Sequence, residues 1–183
     1  DTYYPQLKFD FVDMNNASAV FLIAEHLSKM GHKNVGIVDS SFKTRNFFLR
    51  RQSFDAATNH FNLKLQETFL VDSIYENTVE QMKKILSKKK KLPSALFCVC
   101  DIIAGGTIKA LKMSGYSVPD DVSVVGFDNL PMGQIIEPSL STIDVSKKRI
   151  GRRAVQLLLR RIYDQTLPHE KVLIGSKLIK RDS

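Results

Sequence analysis

Two hydrophobic periods alternate along this chain. Lys8 to Asp13 (KFDFVD) switches apolar and polar residue by residue, as a half-buried strand does. Asn15-Asn16 supply a turn or N-cap. Ala17, Val20, Ile23, Ala24, Leu27 and Met30 then recur at helical spacing until Gly31 stops them. Asn34 to Asp39 predicts a second strand, ending in the polar tip Asp39-Ser40-Ser41. Phe42 to Phe61 predicts a loop leading into a helix, with Phe47, Phe48, Phe54, Ala57 and Phe61 as core candidates. Thr68 to Asp72 predicts a short strand. Asn77 is placed to cap a helix carrying Val79, Met82, Ile85 and Leu86.

Ser94 to Cys100 (SALFCVC) is continuously apolar, as expected of a strand buried on both faces. Asp101 opens a helix through Ile103, Ala104, Ile108 and Leu111 that Gly115 closes. Gly105-Gly106 inside it cost about 1 kcal/mol each relative to Ala, and predict close packing against the sheet. Val122 to Phe127 is the next buried strand, ending at Gly126-Phe127-Asp128-Asn129. A loop with Pro131, Gly133 and Pro138 follows. Ile150, Ala154, Val155, Leu158 and Ile162 then mark a strongly apolar helix to Tyr163, and Lys171 to Lys180 predicts a terminal strand or hairpin. The strand–helix alternation predicts an α/β fold with a parallel sheet wound on both faces.

Composition narrows the classes. Hydrophobic residues at 43% and charged residues at 25% fit a globular domain, and no run approaches the roughly 18 apolar residues of a membrane span. The chain begins without a signal peptide or initiator Met, so a fragment or processed form is expected. The net charge of +8 permits an acidic partner, but its densest block, Lys88 to Lys91, lies at a predicted helix C-terminus and is expected in a solvated loop. Cys98 and Cys100 stand two apart in a predicted strand. They share a face, cannot readily bridge each other, and as free thiols fit a reducing cytoplasm.

In a parallel sheet the strand ends at Asp13, Asp39, Asp72, Asp101 and Asp128 share one edge, where ligands bind. No phosphate loop or dinucleotide fingerprint follows any strand. The four histidines (His26, His32, His60, His169) stand in helix or loop positions without evident partners, and no metal-spaced cluster is present. An enzyme is therefore not expected, nor a cofactor. Arg50, with its planar guanidinium, is a candidate to fork onto ligand oxygens.

Several stretches, in one order and spacing, carry a resemblance. They are AEHLSKMGHKNVGIV (24–38), Arg50-x-x-Ser53-Phe54-Asp55-Ala56-Ala57, PSALFCVCDIIAGG (93–106), GYSVPDDVSVVGFDN (115–129), PSLSTIDVSKKRIGRRAVQLL (138–158) and LIKRDS (178–183). Together they resemble the effector-binding region of the lactose-repressor/galactose-repressor family of bacterial transcription regulators. The resemblance implies a periplasmic-binding-protein-like fold of two Rossmann-like subdomains with ligand between them, of which this chain holds mainly the second. Residues 1–15 are a remnant of the first subdomain and 16–133 the second. Residues 134–165 are a crossover and a helix belonging to the first, and 166–183 a terminal strand returning to the second.

The implied partners are a small polar, sugar-like effector, DNA through a domain absent from this chain, and a second copy in a homodimer, with no membrane contact and a cytoplasmic location. Site residues follow from matched positions. Arg50 matches an arginine holding ligand oxygens, and Asp128 an aspartate accepting from ligand hydroxyls or ring nitrogens. Cys100, before Asp101, stands where sugar-responsive members often carry Asn, so a standard sugar pose is not implied. Ser73 falls where a stacking aromatic is common, with Tyr75 two residues on, and Asp1 matches a cleft aspartate of the first subdomain. Ser53 replaces a usual Gly and Ser141 a usual Thr. A periplasmic solute-binding protein of the same fold is the alternative. The helix 150–163, lacking its own sheet, is expected to self-associate or swap.

Overall fold

The computed structural model describes residues 6, 8–89 and 91–183. In chain order the elements are β1 (Phe11–Met14), α1 (Asn16–Lys29), β2 (Asn34–Ser40), α2 (Arg45–His60), β3 (Lys64–Val71), α3 (Tyr75–Leu86) and β4 (Ala95–Cys98). There follow α4 (Asp101–Met113), β5 (Ser123–Val125), α5 (Met132–Ile135), β6 (Thr142–Asp144), α6 (Lys147–Tyr163), β7 (Lys171–Ile174) and β8 (Lys177–Ile179).

The central sheet runs β3-β2-β4-β5, all parallel. Val35, Ile37, Val38, Ala95 to Cys98, Val124 and Val125 are buried, because helices cover both faces. Right-handed crossovers place α2 on one face, and α3 with α4 on the other, since the chain reverses direction across the sheet after β3. The reversal lies between β2 and β4, the position at which an open α/β sheet splays its carboxyl ends and leaves a crevice.

Helix starts follow local chemistry. Asn15 caps α1 by accepting from the Ser18 amide, and Thr44 caps α2 by accepting from the Phe47 amide. Asn77 does not cap α3, which begins two residues earlier; its side chain donates to Asp72 instead. β3 begins four residues before the predicted Thr68. It is an edge strand, and an exposed alternating face hides its start from a search for apolar runs. Phe48, predicted core, is exposed, whereas Phe54 is fully buried against Phe97 with ring centroids 5.0 Å apart. Gly105 and Gly106 do allow close approach, but to α3 rather than the sheet. A Cβ on Gly106 would lie 2.8 Å from Thr78 side-chain carbons, and one on Gly105 would meet Met132 and the Tyr75 ring. β4 ends at Cys98, and Cys100 is the N-cap of α4, so the two thiols do not share one strand; both are free and buried.

After β5 the chain crosses to a smaller annex. Ser141 bridges Val125, β6 continues from it, α6 packs on β1, and β7 lies parallel to β1. β8 then pairs antiparallel with β6. The terminal segment, expected as one strand or hairpin, is thus divided between two partners, because Gly175-Ser176 separate two short runs. The Ser183 hydroxyl fastens the end, donating to the Val124 carbonyl at 2.7 Å and accepting from the Ser141 amide at 2.8 Å.

Candidate functional site: a cleft at the carboxyl edge of the sheet

A cleft of about 470 Å³ opens where β1 and the start of α6 face the residues after β5. Phe9, Phe11, Met14, Leu130 and Ile150 give it apolar walls, and Asp13, Asp128 and Lys147 supply its charge. This mixture of apolar surface and a few converging polar groups suits a small organic ligand.

Arg50 is placed behind this cleft, buried, by α2. Its Nε donates to Asn16 Oδ1 at 3.0 Å and its Nη1 to the Val99 carbonyl at 2.6 Å. Its Nη2 reaches Asp128 Oδ1 at 3.3 Å and Met14 Sδ at 3.2 Å. The guanidinium carbon lies 3.7 Å from the Phe127 ring centroid. Every guanidinium nitrogen therefore has a protein partner. Burial pushes the Arg50 pKa down, opposed by the charge of Asp128. The pair sits where the crossover direction reverses, since the Val99 amide donates to Val38.

Asp128 is the member of the pair that faces outward, its side chain 25% exposed and lining the cleft. Its backbone carbonyl accepts from Lys147 Nζ at 2.7 Å. Burial raises its carboxyl pKa, opposed by the charges of Arg50 and Lys147. Asp13 joins it in the cleft lining. The pattern of strand ends signalled Asp13; Phe9, Phe11 and Ile150 were legible only as strand and helix positions, since their convergence with Lys147 on a cleft depends on how α6 meets β1.

The other expected site residues lie elsewhere. Asp101 is fully buried. Its Oδ1 accepts from the Thr142 hydroxyl and its Oδ2 from the Leu130 amide, both at 2.6 Å, leaving no face toward the cleft. Burial pushes its pKa up to about 6 against those two hydrogen bonds. Cys100 is nearly buried, and burial raises its thiol to about 11, with Asp128 adding to the shift and Arg50 opposing it. Tyr75 lines a separate depression with Gly105, Ile108 and Ile135 and is not brought to Asp128. Asp1 lies outside the described residues. Asp72 is turned to the α3 entry, accepting from the Ile74 amide and Asn77.

The histidines are not all without partners. His32 shares a hydrogen bond with Ser94, and His60 packs on Phe21 and Phe61, but none of the four lines the cleft. Lys89 of the basic block pairs with Glu67 at 2.6 Å. Among the described residues no group of His, Cys, Asp and Glu is arranged to hold a metal, and no helix is long and apolar enough to cross a membrane.

A doubly wound parallel sheet, with an annex beyond β5 and a cleft between them that holds Asp13 and Asp128, is the arrangement of a periplasmic-binding-protein-like domain. The periplasmic binding protein-like domain model matches residues 24–183, and the chain belongs to that family. It resembles the HTH-type transcriptional repressor PurR of Histophilus somni, with 35% identity over 176 residues, 95% of this chain and 53% of that protein. The chain therefore spans about half the length of that relative.

Among solved structures, a LacI-type transcriptional regulator of Bacillus cereus subsp. cytotoxis aligns at a TM-score of 0.85 with 26% identity, covering 100% of this chain and 65% of that one. A dimeric lac repressor with an 11-residue C-terminal deletion aligns at 0.89 with 22% identity, covering 98% of this chain and 65% of that one, which shows the shared fold. In each of these regulators the match falls on one part of a longer chain.

Proposed function

We propose that this chain is the effector-sensing part of a DNA-binding transcriptional repressor and that it takes a small polar, sugar-like molecule in the cleft at Asp128. The observation that carries this reading is the Asp128 carboxylate. It is braced from behind by a buried Arg50 and presented toward a cleft walled on its far side by β1 and the start of α6. A ligand donating hydroxyl or ring N–H groups to Asp128 and Asp13 would touch both lobes. It would stabilise one relative placement of them and so shift the population of the whole repressor. The strength of the PurR match supports the repressor role.

On this reading DNA is contacted by a part of the whole protein beyond these residues, which acts as a homodimer in the cytoplasm without membrane contact. Effector and operator affinities are then reciprocally linked. Arg50 acts here as the brace for Asp128 rather than as a direct ligand fork. Cys100 and Tyr75 have no assigned contact with the ligand.

The test is a thermal-melt screen of neutral sugars, sugar phosphates and nucleobases against the wild-type chain and Asp128→Asn. A compound at 100 times its dissociation constant should add about 2.7 kcal/mol, a shift of several degrees at this size. The shift should vanish in Asp128→Asn. A stabilisation that survives the substitution would place the ligand elsewhere and overturn the reading.

A further inference from the structure

The loop that carries Asp128 is held from beneath by groups that never reach the cleft. Asp128 and Asn129 both adopt positive φ, 110° and 48°, a region that L side chains resist. Three successive N–H groups nonetheless find partners on one side. Asp128 donates to the Ile143 carbonyl at 3.0 Å, Asn129 to Thr142 Oγ1 at 3.3 Å, and Leu130 to Asp101 Oδ2 at 2.6 Å. The Thr142 hydroxyl in turn donates to Asp101 Oδ1, so one hydroxyl links the carboxylate to the loop. Asn129 Oδ1 accepts from Arg181 Nη2 at 2.8 Å, while Arg181 Nη1 reaches the Leu140 carbonyl at 2.5 Å. The packing leaves no slack: a Cβ on Gly126 would collide with Asp101 and lie 2.9 Å from Leu140.

We propose that Asp101 and Thr142 are positioning residues for Asp128. Between them they clamp the left-handed loop after β5 to the crossover strand β6, so that the direction of the cleft-facing carboxylate follows the placement of the crossover. The proposal rests on the reading of Asp128 as the ligand contact, and it gives the crossover a mechanical connection to that contact. β6 lies on the path from the main sheet to α6, so a movement of the second lobe reaches Asp128 through Thr142.

The experiment needs no ligand. In the isotopically labelled chain, amide exchange at 128–130 and the carboxyl ¹³C titration of Asp128 are followed by NMR. Thr142→Val keeps the side-chain shape and removes the hydroxyl. Exchange at Asn129 and Leu130 should rise roughly tenfold, the consequence of losing a buried hydrogen bond, and the Asp128 titration should move. Thr142→Ser should restore both, and Asp101→Asn should shift the same signals in a chain whose other amides remain protected. Wild-type exchange and titration in Thr142→Val would overturn the proposal, as would a uniform rise over all amides, which would mark the hydroxyl as a general stabiliser. Ligand stabilisation that persists in Asp128→Asn would overturn the ligand reading while leaving these ligand-free results standing.

Discussion

The central sheet and the annex were assembled from similar sequence signals, yet they are held together differently. In the central sheet, apolar periodicity becomes burial: Phe54, Phe97, Ile37, Leu96, Ile103 and Leu111 are fully enclosed between helices and strands. In the annex, α6 is as clearly amphipathic, but Leu157 alone among its residues is buried, and Leu158, Leu159 and Ile162 are 58%, 58% and 65% exposed. What fastens α6 is largely ionic. Arg161 forks onto Asp10 at 2.9 and 3.2 Å, and Arg153 and Arg160 converge on Glu170. An apolar stripe shows that a helix has a face to cover; the chain that covers it need not be adjacent in sequence.

Four measurements would break or sharpen that contrast. The largest effect is expected in the central sheet. Phe97→Ala should cost about 3–5 kcal/mol in urea unfolding, the range for an aromatic removed from a closed core. A loss under about 1 kcal/mol would mean that the sheet relaxes around the void and is no more tightly packed than the annex.

Next comes the annex itself. Leu157→Ala should strip amide protection from 147–163 and 171–174 while leaving the main transition in place, since it removes the one buried side chain of α6. An equal shift in the whole transition would show a single cooperative unit instead. Acid probes the same attachment. Hydrogen bonds from Arg161 and from the Glu170 amide lower the Asp10 carboxyl from 3.8 to about 2. A lowered folded pKa contributes stability that is present above the unfolded value and lost as pH falls through the folded one. Annex protection should therefore fade between about pH 4 and 2, and Arg161→Gln should remove that dependence.

The smallest thermodynamic effect belongs to the exposed stripe. Leu158→Gln with Ile162→Gln should change stability by no more than about 0.5 kcal/mol. In sedimentation, however, the pair should reduce self-association of the 183-residue chain. Undiminished association would place the contact on another surface.

The sheet was legible because β2, β4 and β5 are covered on both faces and so spell short apolar runs. β3 was legible only at its end, since an edge strand keeps one polar face, and the three-residue β6 was too short to show any period. Of the site, Arg50 and Asp128 were each expected as ligand contacts through the family resemblance, but their contact with each other was not. Nothing local to α2 indicates that its arginine will meet Asn16, Val99 and a strand end 78 positions away. Asp101 shows the opposite failure. Its place at a strand's carboxyl end pointed to ligand, but whether an oxygen there faces solvent depends on Thr142 and Leu130, which arrive by a crossover that periodicity does not describe.

The two buried thiols have a practical consequence. Cys98 is wholly enclosed and its thiol is pushed far above the ordinary range by burial, and Cys100 is raised to about 11. Neither offers thiolate to a reagent while the strand and helix around it stay closed. The rate at which an alkylating agent modifies them is then a clock for opening of the carboxyl edge. Since Cys100 stands beside the Arg50–Asp128 pair and Cys98 is fully buried at the end of β4, the order in which they react would separate loosening of the cleft edge from unfolding of the sheet.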